Sequence, residues 1–253
     1  MHPASLLAVF AHPDDESLVA GGVLAQHSAG GARTAVVTTT WAPGTHRAVE
    51  LGEALRILGA GEPRMLGYAD AHVPESAPGS SRFLDAPLDE AVERLVRHIR
   101  DFRPDIVVTH DAYGSSGHPD HIHTHRVTVL AAHAAGLPDL HPQAGLPWQP
   151  GALYLSAHPR SAAGDLTDLV AGVGKKLWTV PDEVVTATVD VRPWVDRKWA
   201  AIRAHASETA RGRSLPGLLA GLPVAARQRI LGTEWFVRHD LAPGPGGLSR
   251  LTA

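Results

Sequence analysis

The chain has 253 residues, with 23 Lys plus Arg against 26 Asp plus Glu, a formal net charge of −3, 16 His and no Cys. Such a length suits one large α/β domain, and the near balance of charge gives no electrostatic case for nucleic acid or an anionic membrane. Without cysteine there are no disulfides, thiolate metal sites or Cys nucleophiles, so any metal must be held by His and carboxylate. The opening Met1-His2-Pro3-Ala4 lacks a basic stretch ahead of an apolar one. No apolar run approaches the ~20 residues that span a bilayer, and the expectation is a cytoplasmic protein.

Residues 6–11 form an unbroken apolar run, the pattern of a strand buried on both faces. It delivers Ala11-His12-Pro13-Asp14-Asp15-Glu16, an imidazole and three carboxylates within five residues. Desolvating charges costs roughly several kcal/mol per ion unless they are paired or bind a metal. A helix over 17–29 follows, which sets the carboxylates in the strand-to-helix crevice where open α/β sheets place their ligands. Gly30-Gly31 closes that helix and residues 33–40 read as a second strand. Thr45 caps a helix running to about residue 58, with Val49, Leu51, Leu55 and Leu58 near helical spacing and Arg47 and Glu50 in its first turn. Residues 64–66 make a short strand. The loop 67–86 carries Asp70, His72 and Glu75 and has the length usual for a lid or binding loop.

The stripe Leu88, Val92, Leu95, Val96, Ile99, Phe102 predicts an amphipathic helix over 85–102, stopped by Pro104. Residues 105–109 read as another buried strand. Beyond Gly136 the pattern gives strands at 152–156 and 184–191, helices at 194–206 and 224–230, a loop at 212–221 and a loose tail at 243–247. Alternating strand and helix patterns predict an α/β, Rossmann-like three-layer fold with a mostly parallel central sheet and an active site at the C-terminal ends of the strands. No linker divides the chain. One domain over 1–253 is expected, with 1–135 carrying both metal motifs and 136–253 completing the sheet and substrate pocket.

The second dense stretch is Gly117-His118-Pro119-Asp120-His121-Ile122-His123-Thr124-His125. Pro119 favours the first helical turn, with His118 just outside it, and His121 and His125 then face one way while His123 points elsewhere. One His and one carboxylate from the first motif with one His from the second make a His₂-carboxylate site. That set suits zinc with an open position for water, and also accepts iron(II). Of the adjacent Asp14 and Asp15, one can bind metal while the other takes a proton. The constellation fits metal-assisted hydrolysis of an amide or ester. Each motif alone has a plainer reading, a turn with a capping Asp or a solvated helix face. No Glu follows His121, against a zincin, and no G-x-G-x-x-G follows the first strand, against a nucleotide binder.

Ala-His-Pro-Asp-Asp-Glu at 11–16 with Gly-His-Pro-Asp-His at 117–121 resembles the LmbE/PIG-L family of zinc-dependent N-deacetylases, nearest to its mycothiol-pathway N-acetylglucosaminyl-inositol deacetylase branch. Arg47-x-x-Glu50, Leu66-Gly67-Tyr68, Lys198-x-x-Ala201, His205-x-Ser207 and Glu234-x-Phe236 extend the likeness. The resemblance implies that His12, Asp15 and His121 bind Zn²⁺, that Asp14 is the general base and that His118 acts on the oxyanion or leaving amine. It further implies that Arg47 and Glu75 bind substrate; Asp120 is expected to orient a neighbouring His. The implied reaction removes acetyl or another acyl group from an N-acetylglucosamine-type amino sugar or similar small molecule. The rivals are a mycothiol-conjugate-type amidase using the same site and a sugar-binding protein with a vestigial metal site. Ser116 stands where mycothiol-type relatives carry a Tyr, which argues against the mycothiol precursor itself as substrate. The expected partner is a small-molecule amino sugar, with no nucleic acid and no membrane; a homo-oligomer stays open.

Overall fold

Alternation along the first strand divides the core in two. Strand β1 (Leu6–Phe10) is buried at every residue, and successive side chains leave opposite faces of the sheet. Leu7 and Val9 enter one apolar cluster, while Leu6, Ala8 and Phe10 enter another. The computed structural model describes residues 3–242; the tail expected at 243–247 lies outside them.

Helix α1 (Asp15–Ala29) is followed by β2 (Thr34–Thr40), α2 (His46–Leu58), β3 (Arg64–Tyr68), α3 (Leu88–Phe102) and β4 (Ile106–Thr109). The helical turn α4 (Gly114–Gly117) and helix α5 (Pro119–Ala134) lead to β5 (Ala152–Ala157). Next come α6 (Gly164–Ala171), β6 (Ala187–Asp190), α7 (Val195–Ala204) and α8 (Ala206–Thr209). The described chain closes with α9 (Leu215–Ala220), α10 (Val224–Leu231) and β7 (Thr233–Asp240). One seven-stranded sheet has the order β3-β2-β1-β4-β5-β7-β6. Strands β1 to β5 pair in parallel, and β7 runs antiparallel to both β5 and β6. The expected α/β architecture with a mostly parallel central sheet is the one found.

Helices α3 and α5 cover one face, setting Leu95, Ile99, Val127 and Ala131 over Leu7, Val9 and Val107. Helices α1, α2 and α7 cover the other, with Leu24, Leu51, Leu55 and Ala201 against Leu6, Ala8 and Phe10. Full burial of a leucine or isoleucine is worth about 1.5–3 kcal/mol, so Leu95→Ala, which would also open a cavity, costs about 2–5 kcal/mol. Strand β1 pairs with β2 on one side and with β4 on the other, in register Leu6↔Ile106 through Val9↔Thr109. Strand order reverses between β1 and β4, and a parallel sheet opens a ligand crevice at the carboxyl ends of such a pair. Both motifs leave their strands there.

Several local expectations are corrected. Val49 is 69% exposed and Leu88 41% exposed, so neither belongs to the core stripe in which its spacing put it. The segment expected as loop at 212–221 contains α9, begun by Ser214, whose side chain accepts from the Gly217 amide, and by Pro216 in the first turn. Helix α6 and strand β7 carry too weak a periodicity to be read. Glu234 at a buried position of β7 breaks the apolar alternation that marks a strand.

Candidate metal and catalytic site

The turn leaving β1 is held by its own carboxylates. The His12 amide donates to Asp15 Oδ2 at 2.8 Å. Asp14 has φ +129°, a conformation that L-residues rarely adopt and that costs about 1–3 kcal/mol. Its amide donates to Glu16 Oε2 at 3.0 Å. Glu16 in turn accepts from the Ser17 hydroxyl and meets His205 Nε2 at 2.8 Å, and both Glu16 and His205 are wholly buried. A buried ion pair thus clamps the backbone from which Asp14 and Asp15 project.

Asp15 and two histidines converge in front of this turn. His12 Nδ1 lies 3.1 Å from His121 Nε2, and Asp15 Oδ2 lies 3.4 Å from each of those nitrogens. Tetrahedral zinc with bonds of about 2.0–2.1 Å sets neighbouring ligand atoms about 3.3 Å apart. The three atoms therefore match one face of such a tetrahedron, and the donor set suits zinc. The outer ring atoms are also satisfied: His12 Nε2 faces Asp70 Oδ2 at 3.1 Å and Asp120 Oδ2 at 3.2 Å, while His121 Nδ1 faces the Gly114 carbonyl at 3.1 Å. A proton on each outer nitrogen leaves the inner lone pair for a metal. Burial holds His121 well below its ordinary value. Burial alone would raise Asp15, but His121, His110 and His12 outweigh it and keep that carboxylate ionised.

Asp14 stands outside this triangle. Its Oδ1 lies 3.0 Å from the Arg47 guanidinium, which also donates to the Pro13 carbonyl and reaches Glu208 at 3.4 Å. Burial pushes Asp14 up to about 7 against the pull of Arg47. The guanidinium carbon lies 4.9 Å from the Trp41 ring centroid. Helix α2 presents Arg47 from its first turn, where Thr45 caps the helix by accepting from the Ala48 amide. On the opposite side, His118 is the N-cap of α5, and its Nδ1 accepts from the Asp120 amide at 3.2 Å. Its proton then sits on Nε2, and burial pushes the ring down to about 4, which keeps it neutral.

The structure brings together all but one of the residues singled out from sequence. Asp120 is fully buried and accepts from the Ala71 amide as well as from His12, the orienting contact expected of it. Glu75 is exposed and outside the cavity lining. The acidic group that reaches the site from that loop is Asp70, just past β3. Its Oδ1 accepts from the His72 and Val73 amides, while Oδ2 faces His12. His125, one turn from His121, contacts the His110 carbonyl rather than the triangle. His110 was missed. It follows β4 directly, stacks on His121 with ring centroids 4.1 Å apart, and accepts from the Ala11 amide, so its lone pair is already engaged. Its place at a strand's carboxyl end was the available signal. A buried Lys198–Glu234 pair at 2.7 Å lies in the floor of the cavity, and Glu234 also accepts from the amides of Gly22 and Val23 on α1.

A family model described as PIG-L: GlcNAc-PI de-N-acetylase matches residues 7–132, which include both motifs. A 1D-myo-inositol 2-acetamido-2-deoxy-alpha-D-glucopyranoside deacetylase from Rhodococcus opacus is 37% identical over 277 residues, covering 96% of this chain and 88% of that protein. The chain belongs to the PIG-L (LmbE) family. The protein of the same description from Geodermatophilus obscurus is 34% identical, covering 91% of this chain and 90% of that one. Among solved structures, the N,N'-diacetylchitobiose deacetylase of Pyrococcus horikoshii superposes with a TM-score of 0.66 at 19% identity, over 94% of this chain and 84% of that one. At that identity the likeness speaks for the fold. Family membership makes the chain an amide-hydrolysing deacetylase by kinship, and its His/Asp cluster supplies the groups that could hold a metal. Among the described residues no helix is long and apolar enough to cross a membrane.

Proposed function

We propose that this protein is a zinc-dependent N-deacetylase that removes acetyl or another acyl group from an N-acetylglucosamine-type amino sugar, working as a single cytoplasmic domain. The observation that carries the reading is the ligand triangle of His12, Asp15 and His121 with a second carboxylate, Asp14, beside it and outside it. A binding protein needs the triangle but has no use for the spare base. The amino-sugar half rests on the relatives, whose described activity is deacetylation of a 2-acetamido sugar joined to inositol. Strands β5, β6 and β7 join the sheet begun by β1 to β4, which supports one domain.

Zinc held by His12, Asp15 and His121 would act as a Lewis acid toward water and the amide carbonyl; iron(II) suits the same donors. Asp14 takes the proton of the attacking water. A carboxylate poised near neutrality suits that task, and Arg47 stabilises its ionised form. His118 donates a hydrogen bond from its Nε2–H to the carbonyl oxygen as charge builds there, and the proton held by Asp14 passes to the leaving nitrogen as the C–N bond breaks. Products are the free amine and a carboxylate. Arg47, Trp41 and Asp70 line the cavity on the side of β2 and β3 and offer hydrogen bonds and a ring face to a sugar.

The test is amine release from a panel of N-acetylglucosamine derivatives, the inositol conjugate included, by metal-free protein with and without zinc. Release restored by zinc is expected. No release from any member, with metal bound stoichiometrically, would overturn the reading in favour of a binder.

A further inference from the structure

The cavity that holds the ligand triangle measures about 610 Å³, and its two sides differ in chemistry. Toward β2 and β3 the wall carries the polar groups of His46, Arg47, Asp70 and His72 beside the Trp41 ring. Toward β5 and β7 it is built by the C-terminal helices. Leu166 of α6, Leu215 and Leu218 of α9, Ile230 of α10 and Leu18 of α1 line that lobe and belong to it as cavity wall. Leu18, Leu215 and Ile230 are only partly buried, packed on the small apolar cluster of Val195, Ile202, Leu219 and Leu231. Leu18 follows Asp14 by one helical turn, so the lobe starts beside the proposed base.

An acetyl group ends in one methyl and cannot cover such a wall. A sugar ring, dense in hydroxyls, would lose hydrogen bonds to water against these leucines and Ile230, which offer it no partners. Ligand cavities are mostly apolar where the ligand is apolar, with a few polar groups fixing orientation. Of the charged groups that line the cavity from the C-terminal part, Lys198 and Glu234 pair with each other at 2.7 Å in its floor, Glu208 pairs with Arg211 at 2.7 Å, and Lys175 and Lys176 are exposed beside Leu177.

We infer that the substrate carries an extended alkyl chain that lies in the lobe lined by Leu18, Leu166, Leu215, Leu218 and Ile230. The inference rests on the deacetylase reading and narrows it to a lipophilic amide. A carbonyl placed at the metal triangle directs its two substituents apart, one toward the polar wall and the other toward the lobe. The chain can therefore belong to the acyl group or to the part of the molecule borne by the nitrogen, and the chemistry of recognition is the same.

Three amides distinguish the cases with zinc-loaded protein: N-acetylglucosamine, N-octanoylglucosamine and the octyl glycoside of N-acetylglucosamine. Each methylene moved from water into an apolar wall favours binding about three- to fourfold. At least a tenfold higher kcat/KM is expected for one octyl-bearing amide over the parent; which one assigns the chain to the acyl or to the glycoside side. Leu218→Asp is expected to erase that preference, and Leu166→Trp, which fills the lobe and keeps it apolar, to do the same should the charged variant fold poorly. Equal or lower kcat/KM for both octyl compounds, with the parent still hydrolysed, overturns the inference and leaves the deacetylase reading standing. A preference that survives both variants also overturns it. Failure of all three amides strikes the deacetylase reading instead.

Discussion

Glu16→Gln tests the clamp behind the proposed base. Glu16 and His205 are both fully buried, 2.8 Å apart, and Glu16 also accepts from the Asp14 amide. Burial would lower His205, but the Glu16 carboxylate overcomes it and holds the ring above its ordinary 6.5. Burial would likewise raise Glu16, and His205 overcomes that, holding the carboxyl below its ordinary 4.5. The histidine's share of stability is complete below pH 6.5 and is lost as pH rises through its folded value. The glutamate's share is complete above pH 4.5 and is lost as pH falls through its own folded value. Both act together between those two limits. Removing one partner of a buried pair costs about 3–5 kcal/mol. Gln keeps the shape and an acceptor for the Asp14 amide, and His205 can shed its proton, so the expected loss is about 1.5–3 kcal/mol, the worth of a charged hydrogen bond. Urea unfolding of both proteins over a pH series upward from about 6 reads it, with the gap narrowing as the pH rises through the raised folded value of His205 and the wild-type pair loses its cation. A gap that never narrows along the series would refute the ion pair.

Three other outcomes are expected. Asp14→Asn keeps stoichiometric zinc and loses about 10²–10⁴-fold in kcat, the usual worth of a positioned base, whereas His121→Ala loses metal and turnover together; metal analysis beside an activity assay separates them. Gly22→Ala puts a Cβ 2.4 Å from Val191 Cβ where α1 crosses the C-terminal part, so overpacking should cost about 1–3 kcal/mol, and an unchanged Tm would show that the helix shifts freely. Burial pushes His158 down to about 4 from an ordinary 6.5. The folded chain then binds fewer protons than the unfolded one in that window, so stability falls on acidification, by up to about 3 kcal/mol; His158→Gln should flatten the acid limb of a Tm–pH profile.

The first half of the chain was legible because its strands are buried on both faces and end in charge. Six of the eight residues singled out from the sequence lie in the two motifs, and the strand-end rule is enough to place His12, Asp14, Asp15, His118, Asp120 and His121 at one crevice. Arg47 was found through the resemblance, not through its position in a helix. Glu75 lies exposed and outside the cavity lining for a physical reason. A 20-residue loop has no periodicity to fix which acid turns inward, and the turn made by Asp70 with the His72 and Val73 amides settles it. Strand β7 was hidden because its buried Glu234 breaks the apolar pattern, and only partners distant in sequence, Lys198 and the amides of Gly22 and Val23, make that burial tolerable.

His12 and His121 are separated by 109 positions and meet only after β1 and β4 have paired. Neither segment has the three donors by itself, so the unfolded chain cannot offer the same cradle. An ion taken up there acts as a late cross-link between the first and the last of the parallel crossovers. At a thousandfold excess over its Kd it adds about 4.1 kcal/mol to the folded state and nothing to the unfolded one. The chain's resistance to heat then becomes a reading of metal supply, and any partial unfolding that separates β1 from β4 empties the centre.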